Sequence, residues 1–236
     1  MCPKRTIGED VYMSELLAAA VAFAVTHYIS ATPLRGIMVR GMGEKLYRAI
    51  YSIVALITFV WMCRAYGRAE YVWLWDFGAW TMYVTHVLVL LGFLFVVGGI
   101  GVRNPMAMNM ADRVVEPPYG WVRITRHPLF WGIALWAAGH LLVNGDEASL
   151  IFFGTFIFVG LGGTLPQEAR KEVRCGEAWG DFAATTSNIP FLAIVQGRQQ
   201  LSLKEIGLLR PVIAVILYAL MFYYHPDLFS ISPLMK

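Results

Sequence analysis

Four histidines, His27, His86, His127 and His140, fall inside or at the ends of long apolar runs. An ionisable side chain at membrane depth is costly and marks a functional position by default. Neutral imidazole is the commonest metal ligand and a usual axial ligand of haem iron, so rings in such surroundings suit a buried metal or haem. The plainer role for any one of them is a hydrogen bond to a neighbouring helix. The fifth, His225, stands before Pro226 at the end of the last apolar run and reads as interfacial.

Spacing limits which rings can meet. His127 and His140 are 13 residues apart, which is about 20 Å along a helix and roughly 220° around it, so each needs a partner on another helix. Counted at about 1.5 Å per residue from the face opposite the basic loops, His27 and His127 lie deep, near 24 and 27 Å, and His86 and His140 shallow, near 10 and 8 Å. Depth therefore pairs His27 with His127, and His86 with His140.

A second group sits in Thr125-Arg126-His127-Pro128, where a cation and an imidazole precede a helix whose first turn tolerates the proline. Such a mouth suits a carboxylate or phosphate, and Trp121 and Trp131 would anchor it in the interfacial aromatic belt. Farther on, Gln167-Glu168 and Gly176-Glu177-Ala178-Trp179 precede Ser187-Asn188-Ile189-Pro190, a charged helical segment ended by a turn. The cysteines Cys2, Cys63 and Cys175 lack C-x-x-C spacing and support neither a disulfide framework nor a zinc site.

The elements that must carry these residues follow from composition. Of 236 residues, 58% are hydrophobic and only 15% charged, with a mean hydropathy of +0.57, against roughly 25% charged in an average soluble domain. The apolar excess belongs against lipid, so the chain reads as an integral, all-α, polytopic membrane protein. Six spans are predicted: Val11 to Ala31, Ala49 to Cys63, Ala79 to Val102, Leu129 to Val143, Ala148 to Leu165 and Pro211 to Tyr224. Three of them, the second, fourth and sixth, are short of the roughly 20 residues that cross a bilayer and must extend into flanking residues or cross a thinned region.

Lys4, Arg5, Arg64, Arg68 and Lys236 fall on one side of this six-span arrangement, and the other fourteen of the nineteen lysines and arginines on the opposite side. The positive-inside rule makes that second side cytoplasmic and puts both termini in the periplasm. No cleavable signal peptide is evident, because Glu9 and Asp10 follow Lys4 and Arg5 ahead of the first apolar run. Residues 166–208 then form a cytoplasmic segment within a single membrane domain covering residues 1–236. A net charge of +3 gives no argument for nucleic acid.

The blocks Gly43-Glu44-Lys45-Leu46-Tyr47-Arg48, Thr125-Arg126-His127-Pro128, Leu135 through Asp146 (LWAAGHLLVNGD) and Thr186-Ser187-Asn188-Ile189-Pro190-Phe191 resemble the NnrU family of bacterial membrane proteins. The likeness runs from about His27 to Ser232-Pro233. It implies an inner-membrane protein linked to denitrification and nitric oxide metabolism. Through the related plant zeta-carotene isomerase it also implies haem b and cis-trans isomerisation of a polyene lipid. By that resemblance His27 and His140 are the axial ligands, with His86 and His127 as substitutes, a different pairing from the one depth gives.

A more distant likeness ties Arg126, His127, Pro128 and Gly132 to the R-H-P-x-Y-x-G signature of isoprenylcysteine carboxyl methyltransferases, with Phe130 where tyrosine is usual. Glu168, Gly176, Glu177, Trp179 and Pro190 echo the later motifs, but Gln167 and Cys175 replace a glutamate and a phenylalanine. This second resemblance implies S-adenosylmethionine, its carboxylate held by Arg126 and His127. Isomerase is favoured over methyltransferase, and a non-enzymatic accessory to a reductase complex is the third reading.

Overall fold

The computed structural model describes residues 7–30, 32–107 and 110–234. Cys2, Lys4, Arg5, Ala31 and Lys236 lie outside the described residues. Among the described residues ten α-helices follow one another: α1 (Ile7–Ile29), α2 (Pro33–Met42), α3 (Glu44–Tyr66), α4 (Trp80–Gly99), α5 (Pro128–Val143), α6 (Glu147–Cys175), α7 (Glu177–Thr185), α8 (Leu192–Val195), α9 (Leu203–Ile206) and α10 (Leu209–Phe229). Two 3-10 turns, Ala111–Val115 and Gly120–Arg123, sit between α4 and α5. The described residues contain no β-strand beyond a single bridge between Trp73 and Asp146.

Five helices, α1, α3, α4, α6 and α10, are long and apolar enough to cross a membrane. The short helix α5 is the sixth apolar element; its 16 residues reach about 24 Å, less than a full bilayer core. The chain is thus a polytopic, all-α membrane bundle. Extension of the short runs occurs for α3 and α10, which take in Glu44 to Arg48 and His225 to Phe229.

Two features differ from the sequence expectation. Helix α6 does not stop at Leu165 but continues through Pro166 to Cys175, so the first ten residues of the 166–208 segment belong to a spanning helix. A proline inside a membrane helix is tolerated where neighbouring helices and hydroxyls make up for the lost backbone bond. Gly162 and Gly163 precede it, and Gly162 lies so near the Tyr28 hydroxyl that an added Cβ would stand 2.1 Å from it. Helix α2, amphipathic and short, was not foreseen; Pro33 opens it, and Gly43, at φ +81°, turns the chain from α2 into α3.

Glycine decides how closely α4 and α5 approach. A Cβ on Gly92 would lie 2.9 Å from the Gly132 carbonyl, and one on Gly132 would lie 2.7 Å from the Gly92 carbonyl. Small residues that let backbones touch are the usual means of packing membrane helices, where lipid tails supply no hydrophobic drive between them. Below that contact the Thr85 hydroxyl donates to the Gly139 carbonyl at 2.8 Å. Helix α6 packs on the other face of α5, and α1 on α6 and α3, around a core of Leu16, Phe23, Met62, Ala137, Phe152 and Phe153. Helix α10 packs on α4 and is otherwise exposed, as a lipid-facing helix must be.

The two ends of the bundle are chemically distinct. At one, Arg68 pairs with Glu15 at 2.7 Å, and Leu74 and Trp75 donate backbone N–H bonds to the Gly145 carbonyl. The Asp146 carboxylate caps α6 by accepting from the Ser149 N–H. This joins the α3–α4 loop to the α5–α6 turn. The other end gathers α2, both 3-10 turns and α7 to α9, and holds most of the arginines and lysines.

Candidate functional site

Arg126 and His127 meet at the basic end, just before Pro128 opens α5. The Arg126 Nε and Nη2 donate to Glu168 Oε1 and Oε2, each at 2.9 Å, in a bidentate fork. The His127 Nε2–H donates to the same Oε1 at 2.8 Å. The Asn188 amide donates to that oxygen at 3.2 Å and to the Thr164 hydroxyl at 2.9 Å. Above the fork the guanidinium carbon lies 5.5 Å from the Trp179 ring centre, a cation–π distance.

This network is buried: Arg126 is 8% exposed and His127 2%. Its outer bonds run in every direction. The Asn188 carbonyl accepts from Trp131 Nε1 at 2.9 Å and from the Thr125 hydroxyl, the Arg126 N–H donates to the Ser187 carbonyl, and Asn104 Nδ2 donates to the Arg126 carbonyl at 2.8 Å. Burial pushes the His127 pKa below the ordinary imidazole range, against the pull of Glu168. His127 is then a neutral donor to a carboxylate, and its buried Nδ1 has no hydrogen-bond partner among the described residues.

The methyltransferase resemblance requires Arg126 and His127 to hold a ligand carboxylate. In this structure the fork is filled by the chain's own Glu168, with Trp179 and Asn188 against it. Glu168 was visible in the sequence, but only as part of a motif echo; nothing in the spacing showed that Asn188 would link Glu168, Thr164 and Trp131. The group locks the start of α5, the extension of α6 and the 186–191 turn into one unit.

The remaining histidines separate by face as well as by depth. His86 is fully engaged, with Nε2 at 3.0 Å from the Pro233 carbonyl and Nδ1 at 3.0 Å from the Tyr218 hydroxyl. It stands beside the Thr85–Gly139 contact, level with His140 as the depth count expects, yet it faces α10 while His140 stacks on Phe153 of α6. His27 and His140 share one arrangement. Each directs Nδ1 to the carbonyl four residues back, Phe23 at 2.8 Å and Trp136 at 2.9 Å, and neither has a hydrogen bond at Nε2 among the described residues. That is how a protein fixes the tautomer and orientation of an imidazole whose Nε2 binds a metal.

The donor chemistry of His27 and His140 therefore suits haem, but their spacing here does not suit a shared iron. His27 lines a recess of about 80 Å³ with Tyr51, Phe130, Val159, Gly163 and Arg170. His140 stacks on Phe153, at 5.1 Å between ring centres. Along α6 these levels differ by about 9 to 15 Å, whereas two imidazoles on one metal place their nitrogens only about 4 Å apart. Trp136, Phe156 and Phe23 pack one on the next across that interval. His27 and His127 lie on the same level and both contact or neighbour Phe130, but His127 Nε2 is committed to Glu168. Among the described residues no cluster of three or more His, Cys, Asp or Glu is arranged to hold a metal ion.

A glycine-packed helical membrane bundle, with a locked polar knot at its basic end and oriented imidazoles inside, defines the class. The chain belongs to the NnrU protein family, which it matches over residues 15–233. It is similar to the chloroplastic 15-cis-zeta-carotene isomerase of Zea mays, 29% identical over 232 residues, covering 92% of this chain and 61% of that protein. It is also similar to the chloroplastic 15-cis-zeta-carotene isomerase of Arabidopsis thaliana, 26% identical over 197 residues, covering 79% of this chain and 52% of that protein. The chain thus spans between half and three-fifths of the length of these relatives. No solved structure matches it.

Proposed function

We propose that this chain is an isomerase acting on a lipid-soluble polyene in a bacterial inner membrane. The observation that carries the proposal is its similarity, across 92% of its length, to a protein named as a 15-cis-zeta-carotene isomerase. The structure is compatible with such a substrate. A polyene partitions into the bilayer and reaches the bundle laterally, and the recess beside His27 lies among α1, α3, α5 and α6 with Tyr51 and Phe130 on its walls. Under this reading the whole chain works as one membrane unit. By the positive-inside rule the basic end faces the cytoplasm and both termini the periplasm.

Haem b belongs to the proposal as its cofactor, on the strength of the family resemblance and the Nε2 atoms of His27 and His140. A bound haem would supply Lewis-acid or one-electron chemistry to a polyene. Joint ligation by both rings requires a different relative placement from the one described above, so no step is assigned to it. The family link to denitrification and nitric oxide metabolism, with a reductase as partner, is carried by the resemblance alone and is tested by co-purification.

The deciding experiment reconstitutes the purified protein in liposomes with 15-cis zeta-carotene in the dark, with and without added haem and reductant, and resolves the isomers by chromatography. Conversion above protein-free liposomes is expected, together with a haem absorption band that His27→Ala or His140→Ala shifts or removes. A colourless protein, or one that leaves the polyene unchanged in both redox states, overturns the reading.

A further inference from the structure

At the basic end, beside Val122 and Phe182, lies a cavity of about 540 Å³. That falls within the range of sites that take small ligands. Three guanidinium groups line it, Arg103, Arg113 and Arg123, against one carboxylate, Glu116. Pro105, Pro117 and Pro118 form part of its wall and restrict the backbone there.

The three arginines are held differently. Arg123 is fixed by Glu205, whose oxygens accept from Nε at 2.7 Å and Nη2 at 2.8 Å, and Arg113 pairs with Glu116 at 2.8 Å. Arg103 is exposed and has no hydrogen-bond or ion-pair partner among the described residues. It stands four residues beyond Gly99, where α4 ends, which places it at the membrane surface. Lys171 reinforces the positive wall by donating to the Pro105 carbonyl.

We propose that this cavity binds a phosphate-bearing anion. Guanidinium groups present planar forked donors that match phosphate oxygens, and the cavity offers one unpaired fork beside two that are already oriented. Two sources share this chemistry: the headgroup of an anionic lipid, reached from the bilayer beside α4, and a soluble phosphate compound, reached from the aqueous face.

The test uses the full chain purified in detergent. Binding of phosphatidylglycerol, phosphatidylcholine and inorganic pyrophosphate is measured by native mass spectrometry for the wild type, Arg103→Gln, Arg113→Gln and the double variant. Arg40→Gln and Arg174→Gln, exposed positions at the same end but outside the cavity, serve as controls, and thermal melting confirms that each variant is folded. Preference for phosphatidylglycerol over phosphatidylcholine, about fivefold weaker for each arginine removed and about 25-fold for both, is the expected result and identifies a lipid source. Pyrophosphate binding with the same dependence, without lipid preference, supports the site with a soluble source. Equal losses in the control variants, or no probe held more tightly by wild type than by the double variant, overturn it.

Discussion

Glu168 accepts both arms of Arg126 at 2.9 Å, from a helix that begins beyond α5 and ends past the membrane surface. Neither group is solvated enough to stand alone. Glu168→Ala leaves a buried guanidinium without its counter-charge, and a loss of about 3 kcal/mol is expected, read as a lower unfolding temperature in detergent. Replacing both, as Arg126→Leu with Glu168→Leu, removes the stranded charge and should cost less than either single change. A double variant no more stable than the singles would show that the pair contributes by shape rather than by charge.

Close backbone contact between α4 and α5 makes a second prediction. Gly92→Ala and Gly132→Ala each force a methyl group to within 3 Å of the opposing backbone, and a destabilisation of about 1 to 3 kcal/mol follows. Gly180, within α7, has no heavy atom within 4 Å of an added Cβ. Gly180→Ala should therefore stabilise by about 0.5 to 1 kcal/mol, through lower chain entropy in the unfolded state.

The tie between α9 and the Gly120–Arg123 turn responds to acid. Arg123 donates to Glu205 and holds its carboxyl below the ordinary value of 4.5, with a further bond from the Gly120 N–H. A depressed folded pKa contributes stability that is fully present above the unfolded value; it begins to fade below pH 4.5 and is lost as pH falls through the folded value. The protection of amides in residues 199–208, measured by hydrogen exchange relative to the intrinsic rate at each pH, should fall across that acid range in the wild type. In Glu205→Gln the protection should be lower at neutral pH and nearly independent of acidification.

Both ring nitrogens of His86 are occupied, by Pro233 and Tyr218. His86→Phe should cost about 1 to 2 kcal/mol of stability by leaving the Tyr218 hydroxyl short of a partner. Any haem absorption band of the purified protein should persist in this variant. Its disappearance would assign His86 a role that its hydrogen bonds in this structure do not accommodate.

Hydropathy is a local sum, and what depends on it was legible in the chain alone: the membrane class and the approximate place of each apolar helix. Family membership was legible too, in the 125–128, 135–146 and 186–191 blocks. Partnership was not. Arg126 reaches across 42 positions to Glu168, and nothing in the spacing distinguishes that carboxylate from a ligand's. His86 and His140 share a level but turn to different neighbours, because rotation about a helix axis is set by packing against helices distant in sequence. The passage of α6 through Pro166, and the cavity that draws Arg103, Arg113 and Arg123 together, likewise exist only once those surfaces have met.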